Sequence, residues 1–367
     1  EILQYPNVSL CDVVIIMKFH PKHEKICEIG LGVLWNLAYE ALNNIDREII
    51  ADQGGIECIL SAMSFFPHSV TMQEYGCGAL QNLALSTTNK RAISNAGGIS
   101  KIIRSMKLHH ADCDLQDSAC VALQNLSMDN EMNKKIIADE DGISAIIAAT
   151  NLDGDEDVMR SACLALTVLI SNNAEIMKIV SKNGGISSTI RSMVCNPCDD
   201  QVQLAGCHSL RCIAVDSDLT KTVICSAGGI SAILSALLNH PKQCEIQKEA
   251  INLLHLLTTI TSNTQMLKSS FIHFDICGLL LNAVENFPSE CANNVRDILK
   301  RFKKSSSAAD VYSIDEKFGP DVDKKKLKYV PQNIKNIILG NQILPFISRT
   351  IKKSASLHKR FSKFSKY

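Results

Sequence analysis

The sequence predicts an all-α protein, an α-solenoid of about seven helical repeats, and three observations carry that expectation. The stretch Ala-Leu-Gln-Asn-Leu stands at 79–83 and again at 122–126, 43 positions further on. Gly-Gly-Ile recurs at Gly54, Gly97, Gly184 and Gly228, with Asp141-Gly142-Ile143 filling the gap, so one turn returns every 43 or 44 residues. Hydrophobic residues are 46% of the 367 and aromatic ones only 5%, an aliphatic balance that suits helix-on-helix packing. A chain of this length exceeds the roughly 250–300 residues at which a single core stops growing, and a regular period points to a stacked array.

Punctuation divides each unit into helices. In the copy from Asn89 to Ser127, Asn89 is expected to cap a short first helix ending near Asn95, because its side-chain oxygen can accept from orphan N–H groups. Gly97 and Gly98 supply the left-handed or tight backbone that ends it. Ile99, Ile102, Ile103 and Met106 then share one face of a second helix, by the 3.6-residue period. The polar run His109 to Asp114 breaks the pattern, and Leu115, Ala119, Val121, Ala122 and Leu126 carry a longer third helix between neighbouring repeats.

Counting 26 residues on from Ile56 and Ile99 reaches Asn82 and Asn125, and the same count from Leu10 reaches Asn36, so an incomplete first repeat precedes the clear ones. Ile186 leads likewise to Cys212 and Ile230 to Leu256, and a degraded copy begins near Ile276. Repeats are therefore expected to start near 10, 56, 99, 143, 186, 230 and 276, within a solenoid over 1–301. Cys77, Cys120, Cys163 and Cys207 fall five before the asparagine position, and a cysteine between helices is expected to act as a small hydrophobe.

At this point the unit resembles the armadillo repeat. The Gly-Gly-Ile turn, the apolar second helix and the Leu-Gln-Asn-Leu of the third carry the likeness, and Gln-Glu-Tyr-Gly-Cys-Gly-Ala-Leu-Gln-Asn-Leu at 73–83 is most similar to the armadillo region of the large leucine-rich-repeat kinases. The resemblance implies a right-handed superhelix whose third helices line an inner groove. It also implies that Asn36, Asn82 and Asn125 hold the main chain of an extended peptide through their amides. An asparagine there can instead bond its own repeat's backbone. Val168, Cys212 and Leu256 interrupt the ladder.

Four before these rungs stand Gly32, Gly78, Val121, Leu164, His208 and Asn252, none of them the tryptophan that nuclear-import adaptors of the family carry. Trp35 lies one step from a rung, about 100° around the helix, and is expected in the core. Eight before the rungs are Glu28, Glu74, Asp117, Arg160, Leu204 and Lys248, so acid gives way to base along the chain. Facing a groove, Glu28, Glu74 and Asp117 would attract a basic ligand; otherwise they are solvated surface charges.

Net charge is zero but unevenly spread, with 17 Lys or Arg against 5 Asp or Glu from Lys300 to Tyr367, so an acidic body carries a basic end. A charged linker is read over 302–332 and a basic tail over 333–367, with a short amphipathic helix through Ile334 to Ile347 interrupted near Gly340 and Pro345. The partly disordered tail, through Lys352, Lys353, Lys359, Arg360, Lys363 and Lys366, has three readings. It docks on the acidic body, it lies on anionic lipid, or it touches nucleic-acid phosphate, the last being least expected. Ser354, Ser356, Ser362 and Ser365 sit beside bases, where phosphorylation would lower the charge.

Fifteen cysteines in so long a chain, with no charged-then-apolar leader ahead of them, suit a reducing compartment, and a cytoplasmic or nuclear location is expected. No apolar run reaches the roughly 18 residues of a spanning helix. The start at Glu1 without methionine suggests trimming or a larger parent chain. Phosphate cradles, His-Glu-x-x-His, Gly-x-Ser-x-Gly and kinase signatures are lacking, and Cys195-Asn196-Pro197-Cys198 offers zinc only half a ligand set. No enzyme, cofactor or metal is expected. A protein-binding scaffold holding a peptide or partner domain is the first expectation. The regulatory arm of a larger signalling kinase, or a membrane-tethering protein targeted by its basic tail, is the second.

Overall fold

The computed structural model describes residues 9–152, 155–260, 262–264 and 276–304, and every regular element among them is an α-helix. An incomplete repeat opens the array with α1 (Leu10–Phe19) and α2 (Glu24–Glu40). Four complete units follow: α3 (Asn44–Asp52), α4 (Gly55–Phe65) and α5 (Val70–Leu83); α6 (Thr87–Asn95), α7 (Gly98–Leu108) and α8 (Cys113–Ser127); α9 (Glu131–Asp139), α10 (Gly142–Ala149) and α11 (Glu156–Ile170); α12 (Ala174–Lys182), α13 (Gly185–Cys195) and α14 (Asp200–Asp216). A fifth triplet is α15 (Asp218–Ser226), α16 (Gly229–Asn239) and α17 (Cys244–Leu257), and α18 (Ile276–Asn286) and α19 (Pro288–Lys304) close the described chain. The helix α19 runs on to Lys304, so Lys303 and Lys304, read as linker from the sequence, are helical.

Short polar side chains start the first and third helices. Asp46 N–H donates to Asn43 Oδ1 at 3.0 Å, Leu115 N–H to Asp112 Oδ1 at 2.9 Å and Asn133 N–H to Asn130 Oδ1 at 3.0 Å, each satisfying a backbone donor that the first turn leaves open. The cap of α6 is Ser86 and not Asn89. Asn89 lies inside the helix, buried, and its Nδ2 donates to Arg47 O of the preceding repeat at 2.9 Å. Burial against a neighbouring repeat outweighed the intrinsic preference of Asn for helix starts.

The two glycines of the recurring turn act for different reasons. Gly97 has φ 74 with open space around it, so its requirement is the left-handed backbone alone. Asp141 adopts φ 63 at the equivalent place, as a short polar side chain can. The second glycine is packed: a Cβ on Gly98 would lie 2.9 Å from Ile93 O, and one on Gly142 2.8 Å from Ile137 O. That is why Asp replaces the first glycine of the pair and never the second.

The core runs between the layers. Ile99, Ile102, Ile103 and Met106 of α7 are all buried, as are Leu115, Ala119, Ala122 and Leu126 of α8, whereas Val121, expected with them, is half-buried on the open side. Cys77, Cys120, Cys163 and Cys207 are fully buried, and burial pushes the Cys77 and Cys163 thiols up to about 12. No single helix among the described residues is long and apolar enough to cross a membrane.

In α5, α8, α14 and α17 a buried glutamine ties the third helix to the second helix before it. Gln73 Nε2 donates to Met63 O and Phe66 O at 3.0 and 2.9 Å, Gln116 Nε2 to Met106 O and His109 O at 2.8 and 3.2 Å, and Gln203 and Gln247 repeat the pattern. The first carbonyl of each pair is one left open where the second helix ends, and the second also accepts a backbone N–H of the following turn. Met159 takes the place in α11, because α10 has 8 residues against 11 in α7 and ends before such carbonyls are presented. The glutamines recur at the repeat period, a signal the sequence reading passed over.

Candidate functional site

The third helices α2, α5, α8, α11, α14 and α17 pack in succession, each on the next. Each keeps one open stripe at the rung and four and eight residues before it. Glu74 and Asn82 on α5, Asp117, Val121 and Asn125 on α8, Arg160, Leu164 and Val168 on α11, and Leu204, His208 and Cys212 on α14 are all half-buried, as is the residue before each rung, Gln81, Gln124, Thr167 and Arg211. The spacing of four keeps them on one face, and buried Gly78 leaves a gap in the stripe on α5.

The three asparagines do not stand alike. Asn36 is exposed. Asn82 Nδ2 donates to Gly78 O of its own helix at 3.2 Å, and Asn125 Nδ2 to Gln81 O of the preceding third helix at 2.9 Å. Of the three, only Asn36 has its whole amide uncommitted among the described residues, while Asn82 and Asn125 keep Oδ1 as an acceptor there.

The carboxylates differ as sharply. Glu28 pairs with Lys25 at 3.0 Å on the surface of α2. Asp117 accepts from Ser161 Oγ, and burial pushes its carboxyl up against that bond. Glu74 has neither hydrogen bond nor ion pair among the described residues; burial, then Asp114 and Asp112, push it up to about 7. On the other side of the stripe the bases are already matched. Arg160 Nε meets Asp199 at 2.5 Å and its Nη2 meets Asp157 at 3.0 Å, and Lys248 meets Glu245 at 3.4 Å. The sequence's passage from acid to base thus becomes one uncompensated acid beside several neutralised charges.

Trp35 is half-buried and not in the core. Its ring lies 5.5 Å from Tyr75, tilted 46°, and fills the space that a Cβ on Gly78 would enter, 2.6 Å from Trp35 Cε2. Glu74 and Tyr75 are adjacent in α5, so an aromatic pair stands next to the unpaired carboxyl.

Residues seven before the rung, which the sequence reading left aside, reach back to the preceding third helix. Tyr75 meets Trp35, Ser161 donates to Asp117, and Glu249 accepts from Arg211 at 2.6 Å with His208 Nδ1 3.5 Å away. Burial opposes the Glu249 charge, yet His208 and Arg211 together hold its carboxyl down to about 2. Cys212 and Glu249 hold His208 up, to about 9. A regular recurrence at seven before the rung was present in the sequence, but its residue types vary too much to mark it.

Cys195 is half-buried and Cys198 exposed, and among the described residues no group of three or more His, Cys, Asp or Glu is placed to hold a metal ion. Lys352, Lys353, Lys359, Arg360, Lys363 and Lys366 lie outside the described residues, as do the linker from 305 onward and the expected tail helix.

Tandem helical triplets, stacked so that successive third helices expose one continuous face, define an α-solenoid scaffold. The family model described as LRRK2 ARM repeat matches residues 88–270. Solved structures agree in fold. An engineered protein aligns with TM-score 0.65 at 21% identity over 89% of this chain and 78% of its own. A computationally designed armadillo repeat protein for modular peptide recognition aligns with TM-score 0.57 at 17% identity, over 68% of this chain and 99% of its own. A further designed armadillo repeat protein, in complex with the peptide (KR)4, gives TM-score 0.50 at 17% identity, over 64% and 95%. No curated protein matches the sequence. The chain belongs to the armadillo-repeat family.

Proposed function

We propose that the protein is a non-enzymatic scaffold that holds an extended peptide along the third-helix face and takes a Lys or Arg of that peptide at Glu74. The observation that carries this reading is the Glu74 carboxyl, half-buried beside Asp112 and Asp114 with no cation paired to it among the described residues. A ligand cation would supply the missing partner, and the Trp35–Tyr75 pair would receive its aliphatic stem or its charge. The exposed amide of Asn36 and the Oδ1 atoms of Asn82 and Asn125 would hold the peptide main chain. The likeness in fold to a designed protein solved with (KR)4 supports a basic ligand.

Fluorescence anisotropy with labelled (KR)4 at low and moderate salt tests the reading. Binding in the micromolar range that fades as salt rises, and is lost in Glu74→Lys, is expected. Equal binding by the wild type and Glu74→Lys removes Glu74 from the site, and no binding at low salt removes the basic peptide.

A further inference from the structure

The other half of the same face holds a second constellation that peptide binding does not use. Cys212 Sγ lies 3.5 Å from His208 Nε2, one turn earlier on α14, and His208 Nδ1 lies 3.5 Å from Glu249 Oε2 on α17. Arg211 fixes that carboxylate at 2.6 Å, and its Nη2 stands 3.3 Å from the same imidazole nitrogen. Thiol, imidazole and carboxylate follow one another in the order nucleophile, base, orienting group. The imidazole, held cationic near neutral pH, turns Nδ1–H toward Glu249 and Nε2–H toward Cys212 Sγ. Cys163 and Cys207 are sealed in the core, whereas Cys212 and His208 are both half open to solvent.

We propose that Cys212 is a site of covalent modification by soft carbon electrophiles, the conjugated enones and enals, with His208 as its base and Glu249 as the group that positions His208. In the addition the Cys212 proton is held on His208 Nε2 while the sulfur pair forms a C–S bond at the β-carbon and the C=C pair shifts to the carbonyl oxygen. The resulting enolate takes the proton back from His208 at its α-carbon. Nothing leaves, and no oxidant or reductant is consumed. Cys212 lies within α14, where backbone N–H groups are engaged along the helix, so an acyl oxyanion beside the sulfur would find no donors. Conjugate addition places the charge several atoms away, toward solvent, and the reaction stops at a stable thioether.

N-ethylmaleimide, a conjugated imide, is the probe. The full chain is treated with less than one equivalent, and labelled cysteines are identified by peptide mass spectrometry. Cys212 is expected to react about tenfold faster than the exposed Cys11 and Cys198, and the difference is expected to vanish in urea. His208→Asn is expected to remove that advantage and Glu249→Gln to reduce it, while Cys11 and Cys198 keep their rates. Cys212 reacting in the native chain no faster than Cys198, or undiminished in His208→Asn, would overturn the proposal. Labelling of Cys163 and Cys207 reports a variant that has failed to fold; the comparison of native with urea-treated wild type then decides.

Discussion

Replacing Glu74 by Gln should stabilise the protein at neutral and alkaline pH while weakening its hold on a basic peptide. The Glu74 carboxyl ordinarily titrates near 4.5 and is raised to about 7 by burial, Asp114 and Asp112. Between those values the folded chain binds a proton that the unfolded chain has released, so stability falls as pH rises from about 4.5 to about 7 and stays lower above. At 1.36 kcal/mol per pH unit the full interval corresponds to about 3 kcal/mol. A half-exposed carboxyl is screened by solvent, which leaves roughly half of that, about 1–2 kcal/mol. Glutamine carries no charge, so the gain of Glu74→Gln over wild type should be about 1–2 kcal/mol at pH 8 and should shrink toward zero near pH 4. Urea unfolding of both proteins at several pH values measures the difference, and taking it between two chains that share every other titrating group isolates Glu74. Peptide binding should move the opposite way. A bound cation favours the ionised carboxyl, so the wild type should bind (KR)4 more tightly as pH rises through about 7, and Glu74→Gln should lose that dependence. A stability difference that is constant with pH would refute the reasoning.

Two further perturbations probe the neighbouring geometry. In Gly78→Ala the new Cβ would stand 2.6 Å from Trp35 Cε2, forcing a rigid ring off Tyr75 at a cost of about 1–3 kcal/mol. Trp35 is the single tryptophan, so its emission spectrum should shift and the peptide affinity fall together; an unchanged spectrum counts against the packing described. Gln116→Met keeps the volume but leaves Met106 O without its donor and takes the second of two donors from His109 O, which should cost about 1–3 kcal/mol. Hydrogen exchange across α7 and α8 should accelerate; protection equal to wild type would show that these bonds contribute little.

The period, the helix starts and the buried faces were legible in the sequence because each is set within one repeat. Ser, Asn and Asp before a helix, glycine at the turn and isoleucines spaced three and four apart act over a few residues, and a 43- or 44-residue recurrence makes them visible several times over. Asn89 shows the limit, since its own preference pointed to a cap and Arg47 O, 42 residues away, decided otherwise.

The open stripe was likewise readable by helical spacing, but the state of each group on it was not. Glu28, Glu74 and Asp117 occupy one position in three consecutive repeats, yet one is paired by Lys25 on its own helix, one is left unpaired and one is bonded by Ser161. Ser161 lies 44 residues from Asp117 and Glu249 38 residues from Arg211. Sequence by itself determined the repeat, its helices and the face they share. The tertiary structure alone decided which charges on that face are satisfied, because burial and hydrogen bonding depend on which side chains the stacking of separate repeats brings within about 3 Å.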